Sequence, residues 1–239
     1  MNVLVLIKQW YAAAAGCAFC AALFCGPSAL AGDKPPDNVF TVSAILPASL
    51  KRVVILPLAH EESQNDLASG CEMLYPVLQS ELIKTRKFEV VVASSKTVLG
   101  LTGRSSWTGG EVLPVDFLSS LQRVYGCDAV LFCELSAFHA YPPLTIGWRM
   151  KLVDVTTQKI IWAADVVYDA SDPVVNKSAK DFEKQQEGTE KPVSLFRRVV
   201  TWLDRRSEPV TDQPWQILNS PRYFGQFTVS KILQTMPER

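Results

Sequence analysis

The 239 residues carry 24 basic and 24 acidic side chains, so the chain has no net charge with which to attract nucleic acid or an anionic membrane. At 48% hydrophobic and 20% charged residues it is neither disordered nor fibrous, and one domain of about 120 to 200 residues with appendages is expected. Partners must therefore be sought in local features.

Lys8 is the only charge before Asp33, the run from Trp10 to Phe24 is apolar and rich in alanine, and Ala29-Leu-Ala31 has the small-x-small form of a cleavage site. Residues 1–31 therefore read as a signal peptide cut before Gly32. Two alternatives stay open. One is an uncleaved anchor, since the apolar run approaches the length of a membrane span. The other is lipidation at Cys17, where Ala15-Gly16-Cys17 matches the approach to a lipobox, although Ala14 stands where leucine is usual and the following residues stay apolar. In each case the mature chain works outside the cytoplasm. Of the six cysteines, Cys71, Cys127 and Cys133 lie beyond this segment, an odd number that cannot all pair. Cys127 and Cys133 fall about 20 Å apart along one strand, beyond disulfide reach. Either one of them bridges to Cys71 or all three are small buried hydrophobes.

Residues 32–50, opened by Lys34-Pro-Pro-Asp37, read as a linker. Arg52 to Leu58 follows as a first strand whose consecutive apolar residues ask for burial on both faces. After a polar loop with His60, Glu61 and Glu62, a helix is expected from Asp66, its N-cap, to Lys84. Leu67, Cys71, Leu74, Leu78 and Leu82 form its stripe, and Pro76 should kink or split it. Phe88 to Ala93 is a second strand. Ser95 caps a short helix, and Gly103 to Gly110 forms an exposed loop in which Arg104 and Trp107 are candidate interaction residues. Its glycine spacing fits no phosphate-binding motif. Pro114 opens a helix bearing Phe117, Leu118 and Leu121, and Gly126 closes it. Three strands come next: Ala129 to Phe138, then Ile146 to Leu152, then Ile160 to Tyr168. The last two should form an antiparallel hairpin with Trp148 and Trp162 as cross-strand core partners. Asn176 to Lys191 reads as a solvated helix or mobile segment. A further amphipathic helix around Leu195, Val199 and Trp202 carries a candidate basic face of Arg197, Arg198, Arg205 and Arg206. Ser220 and Pro221 start a last helix with Phe224, Phe227, Ile232 and Leu233 on its apolar side. The fold class is thus α/β (α+β), a mixed sheet of about five strands in the order β-α-β-α-β-β-β followed by C-terminal helices. Its domain spans 51–171, and 172–239 form a helical extension.

No catalytic constellation stands out. The chain contains neither a G-x-S-x-G elbow nor H-E-x-x-H, and its only histidines are His60 and His139. Cys133 and His139 are about 20 Å apart on one strand. Cys71 with His60 is open geometrically but unsupported by a motif, and His60, Glu61, Glu62 and Asp66 suit a solvated loop better than a metal site. Glu134 and Asp165 fall opposite Arg149 and Lys151, which favours cross-strand ion pairs over paired catalytic carboxylates. No catalytic, cofactor or metal residues are assigned, and no enzyme activity is expected. The alternative is a ligand-binding protein or enzyme using the His60 loop and the Ser94–Gly110 loop.

The segments Tyr125-Gly-Cys-Asp-Ala-Val-Leu131, Tyr141-Pro-Pro-Leu144, Leu152-Val-Asp-Val-Thr-Thr157 and Ile160-Ile-Trp162 carry a family pattern, and Val53-Val-Ile-Leu-Pro57 matches its opening strand. Together they resemble the periplasmic domain shared by curli-secretion (CsgG-like) lipoproteins, the N-terminal domain of the Tol-Pal translocation protein B (TolB), and lipoprotein activators of penicillin-binding proteins. The resemblance covers about Arg52 to Ala170. Gln158 departs from it, standing where a turn glycine is usual, and no segments suited to membrane-spanning hairpins interrupt the core. The resemblance implies a non-enzymatic accessory protein for envelope assembly, secretion or transport. It would lie in the periplasm or at the inner face of the outer membrane, contact envelope proteins, form a homo-oligomer such as a ring, and touch membrane only through a lipid anchor or a partner.

Overall fold

The computed structural model describes residues 38–61, 65–190 and 215–239. The chain divides into two units, Met1–Pro35 and Pro36–Arg239, and all described residues lie in the second. Its strands are β1 (Val39–Thr41), β2 (Arg52–Ile55), β3 (Ala59–His60), β4 (Glu89–Val92), β5 (Ala129–His139), β6 (Thr145–Asp154) and β7 (Ile160–Asp169). Its helices are α1 (Asn65–Thr85), α2 (Ser95–Thr102), α3 (Phe117–Tyr125), α4 (Pro173–Glu190) and α5 (Pro221–Gln234), with a single 3-10 turn at Gln216–Leu218 before α5.

Val53-Val-Ile-Leu56 is apolar on both faces of a pleat, and the chain places β2 where both faces are covered. The sheet order is β1-β7-β6-β5-β2-β4, with β3 pairing β5 off that path. β2 pairs in parallel with β4 and β5, while β5-β6, β6-β7 and β7-β1 are antiparallel. Alternation splits the strands between two cores. Val53, Ile55, Leu131, Cys133, Trp148, Met150 and Trp162 pack with α1 and α5, and with Ala179 of α4. Val54, Leu56, Val130, Phe132 and Val153 pack with α2 and α3 on the other face.

Helix α1 runs through Pro76 as one helix, Asn65–Thr85, which corrects the expectation of a split. Pro76 lies on the exposed side, where water can satisfy the carbonyl that proline leaves without a donor. The buried stripe is as expected: Leu67, Cys71, Leu74, Leu78 and Leu82 all face the core. Helix α5 crosses α1 closely. A Cβ at Gly225 would sit 2.3 Å from a methyl of Leu74, so only glycine fits this crossing without displacement.

The region read as a linker is not one from residue 38 onward. β1 is hydrogen-bonded to β7, Leu46 and Leu50 are core residues, and around the Ile45–Glu238 bridge Leu46 N donates to the carbonyl of Glu238 while Glu238 N donates to that of Ala44. Val175, Ala179 and Phe182 of α4, and residues of 215–239 from Trp215 to Met236, likewise pack into the core instead of extending from it. Phe182 of α4 meets Phe227 of α5 edge-on at 5.7 Å, so α4 is only half solvated. The two tryptophans are buried as expected, yet they do not face each other. Trp148 lies opposite Val166 and Trp162 opposite Leu152, because the hairpin register sets the two indoles on separate rungs.

That offset lets each indole reach a different turn of α5. Trp148 Nε1 donates to Thr228 Oγ1 at 2.9 Å, and Trp162 Nε1 donates to Thr235 Oγ1 at 3.2 Å. Beyond the helix, the buried Lys87 ammonium donates to the carbonyls of Met236 and Pro237 at 2.7 and 3.2 Å and pairs with Glu238 at 3.2 Å. Arg239 in turn donates to the carbonyl of Lys87.

The β6-β7 turn explains the departure at Gln158. Gln158 adopts φ 56, a left-handed conformation in which a Cβ is strained and glycine is not. Asp154 Oδ1 accepts from Thr157 N at 2.6 Å and holds the turn closed despite this. Gln158→Gly should therefore raise stability by about 1 kcal/mol, a rise of about 2–4 °C in melting temperature measured by calorimetry. An unchanged or lower melting temperature would show that the turn is unstrained.

Candidate interaction surface

The outer face of the sheet is covered at only one end. Phe117 is the pivot of the cover: its ring lies 5.9 Å from Phe132 of β5 and 5.2 Å from Trp107 of the preceding loop. Trp107, 6% exposed, closes this small core and donates through Nε1 to Thr102 Oγ1 at 2.8 Å. Beside Phe132 on the same rung stands Lys151 of β6, whose ammonium donates to the carbonyl of Gly109 and ends the cover.

Past Lys151 the face is bare of cover among the described residues. One rung holds Phe132, Lys151, Ala163 and Phe40 side by side; the next holds Glu134, Arg149 and Asp165. Arg149 bridges the carboxylates, with Nη1 at 3.0 Å from Glu134 and Nε at 2.9 Å from Asp165. The hydrogen bond to Asp165, then the neighbouring negative charge, raise the already high affinity of the guanidinium for its proton. This bears out the expected cross-strand pairing. The half-exposed Arg149–Asp165 pair contributes at most about 1 kcal/mol, while Glu134 is mostly buried, so together they fix a charged pattern at the surface.

Apolar groups flank the pattern. Phe40 is 53% exposed and Val167 is exposed on the rung beyond; Val112 and Val115, on the loop before α3, are each 95% exposed. A cleft of about 370 Å3 runs along this face, lined by Asn38, Phe40, Arg149, Lys151, Ala163 and Asp165. Other clefts, of about 280, 500 and 560 Å3, lie beside α1, α4 and α5, and none of the four is lined by the His60 loop or the Ser94–Gly110 loop.

The residues singled out from sequence scatter. Arg104 stays at the surface, paired with Glu111 at 2.8 Å and lying over the ring of Trp107 at 4.8 Å, whereas Trp107 itself is core and presents nothing to a partner. The loop is apolar at its exposed tip because of Val112 and Val115 instead. Neither they nor Phe40 and Val167 were singled out; the signal available was a Val-Phe-Thr-Val run at 39–42 of high strand propensity, hidden by its proline-rich approach. Cys17, Glu62, Arg197, Arg198, Arg205 and Arg206 lie outside the described residues. His60 Nδ1 lies 3.1 Å from the carbonyl of Glu61, and His139 Nδ1 lies 3.1 Å from that of Pro143. Among the described residues no cluster of histidine, cysteine and carboxylates could hold a metal ion, and no helix is long and apolar enough to cross a membrane.

Cys71, Cys127 and Cys133 are free and buried, as the hydrophobic reading expected. Burial pushes the Cys71 thiol up to about 12 and the Cys127 thiol up to about 11, and it raises the Cys133 thiol as well. Thiolates are the nucleophiles, so these groups are inert at neutral pH.

No protein family matches the chain, and no curated protein matches it. Among solved structures, it is similar to the PelC dodecamer from Paraburkholderia phytofirmans at 12% identity, over 84% of this chain and 99% of that one, with a TM-score of 0.44. It is similar to lipoprotein GNA1162 from Neisseria meningitidis at 15% identity, over 58% and 99%, with a TM-score of 0.36. The LpoB C-terminal domain from Salmonella enterica is 17% identical over 49% and 81%, with a TM-score of 0.34. At such identities none of these likenesses bears on what this chain does.

The raised thiols give a sign to the alkaline behaviour. Each thiol holds its proton more tightly in the folded than in the unfolded chain, so stability is full below the ordinary value of 9.0 and falls as pH rises towards about 12. Folded protein beginning at Gly32, which lacks Cys17, Cys20 and Cys25, should resist a thiol reagent at pH 8 and release three reactive thiols only on unfolding, counted by absorbance. Rapid labelling of the native chain would contradict this burial.

Proposed function

We propose that this chain is an exported, non-enzymatic accessory protein of the cell envelope that acts through protein contacts. The observation that carries the reading is the bare outer face, where the Glu134–Arg149–Asp165 bracket is framed by exposed Phe40 and Val167. Exposed apolar groups around a fixed charged pattern suit a protein partner: the apolar groups supply burial and the charges supply register. The N-terminal segment, with its Ala29-Leu-Ala31 cleavage pattern and Cys17, supports export and either periplasmic residence or a lipid anchor. The resemblance to the curli-secretion and translocation-protein domain points to assembly, secretion or transport at the outer membrane. The finer role within that class follows from the partner.

A photo-crosslinking amino acid placed at Val167 in cells should give adducts with envelope proteins. One placed at Val174, exposed on α4 at a distance from the bare face, should give none. Arg149→Glu, which reverses the central charge, should weaken the Val167 adducts severalfold while the protein remains folded. Absence of adducts at all positions, or equal adducts at Val174, would sink the reading.

A further inference from the structure

The sheet ends in two strands that are each paired on one side only. β1 bonds to β7 and β4 bonds to β2, with no further strand beyond either among the described residues. Such edges are ordinarily guarded by charge, proline or a bulge. Here the guards are few. Asn38 to Pro47 carries no charged residue, and Phe40, Val42 and Ile45 are exposed. β4 presents Val90-Val-Val92, its one charge, Glu89, is held by Arg52 at 3.0 Å, and Val92 is 41% exposed. Beside it α2 exposes Leu99 and Leu101.

Strand direction makes the two edges complementary. β4, β2 and β5 run one way, β6 reverses, β7 runs with β5, and β1 reverses again. If a second copy continued the sheet in the same sense, its β4 would lie antiparallel to β1, the ladder with the better hydrogen-bond geometry. The faces agree too. Phe40 shares a rung with Phe132, whose core includes Val98 of α2, so the bare strip around Phe40 lies on the sheet face that carries α2 in the following copy. No like charges would be forced together along either edge. A two-fold contact of β1 with β1 would leave the β4 edge and its leucines uncovered, whereas a head-to-tail contact covers both.

We propose that copies of this chain associate head to tail, the β1 edge of one against the β4 edge of the next. Contacts of this type repeat, and they close into a ring where the rotation between copies allows it. The assignment is independent of the envelope reading: a chain that assembles but forms no envelope adducts defeats that reading and leaves this one standing.

The test uses complementary edge variants of the full-length chain, purified and weighed by light scattering after size exclusion. Phe40→Lys disables only the β1 edge and Val92→Lys only the β4 edge; both sites are exposed, and thermal melts check the fold. Val42→Lys and Leu99→Glu form a second pair should either of the first variants misfold. The native chain should run above monomer mass, and each variant alone at monomer mass. An equimolar mixture of the two variants should form a dimer, since one good edge of each remains. A monomeric native chain, assembly that survives Val92→Lys, or a mixture that stays monomeric would each overturn the proposal.

Discussion

The hydrogen bond from Trp148 to Thr228 sits where the whole architecture meets. An indole is too large to leave in water and carries an N–H that costs about 1–3 kcal/mol if buried without a partner. Thr228 answers that need from α5, itself fully buried, while its hydroxyl donates to the carbonyl of Gly225. Gly225 in turn allows α5 to approach Leu74 of α1. One sheet residue therefore dictates where the last helix lies and how closely the two helices cross. Trp162, Lys87 and Arg239 then tie down the end of α5 and the residues after it.

Because α1, α4 and α5 cover one face so completely, the second face is left to two short helices and a loop. They cover β4, β2 and the start of β5, and the cover ends where Lys151 meets Gly109. β6, β7 and β1 present the remainder. The fold thus produces an exposed, patterned surface as a consequence of unequal cover, with free strands at both ends. The same asymmetry accounts for the proposed partner contact on the face and the proposed self-contact along the edges, which share Phe40.

Much of the architecture was legible in the sequence because its signals are local. The continuous apolar run of β2, the heptad-like leucines of α1, the glycine at Gly126 with φ 61, and the alternation of β6 and β7 each follow from period or turn chemistry. What was hidden depends on distant partners. β1 is three residues long and exists because β7 offers it an edge; the tether reading of 38–50 failed for that reason. Trp107 was misread because nothing near it in sequence announces Phe117 as its cover. Arg149 with Glu134 and Asp165 was readable, since register across adjacent strands follows from a hairpin. Val112 and Val115 were not, because exposure of an apolar loop depends on what fails to cover it.

Hydrogen exchange followed residue by residue tests the central claim that α5 belongs to the same cooperative unit as the sheet, leaving contact work to the edges. The account predicts that amides of α5 and of β5 exchange through one shared opening, while those of β1 and β4 slow as the protein is concentrated. Exchange of α5 ahead of β5, or edge strands indifferent to concentration, would contradict it.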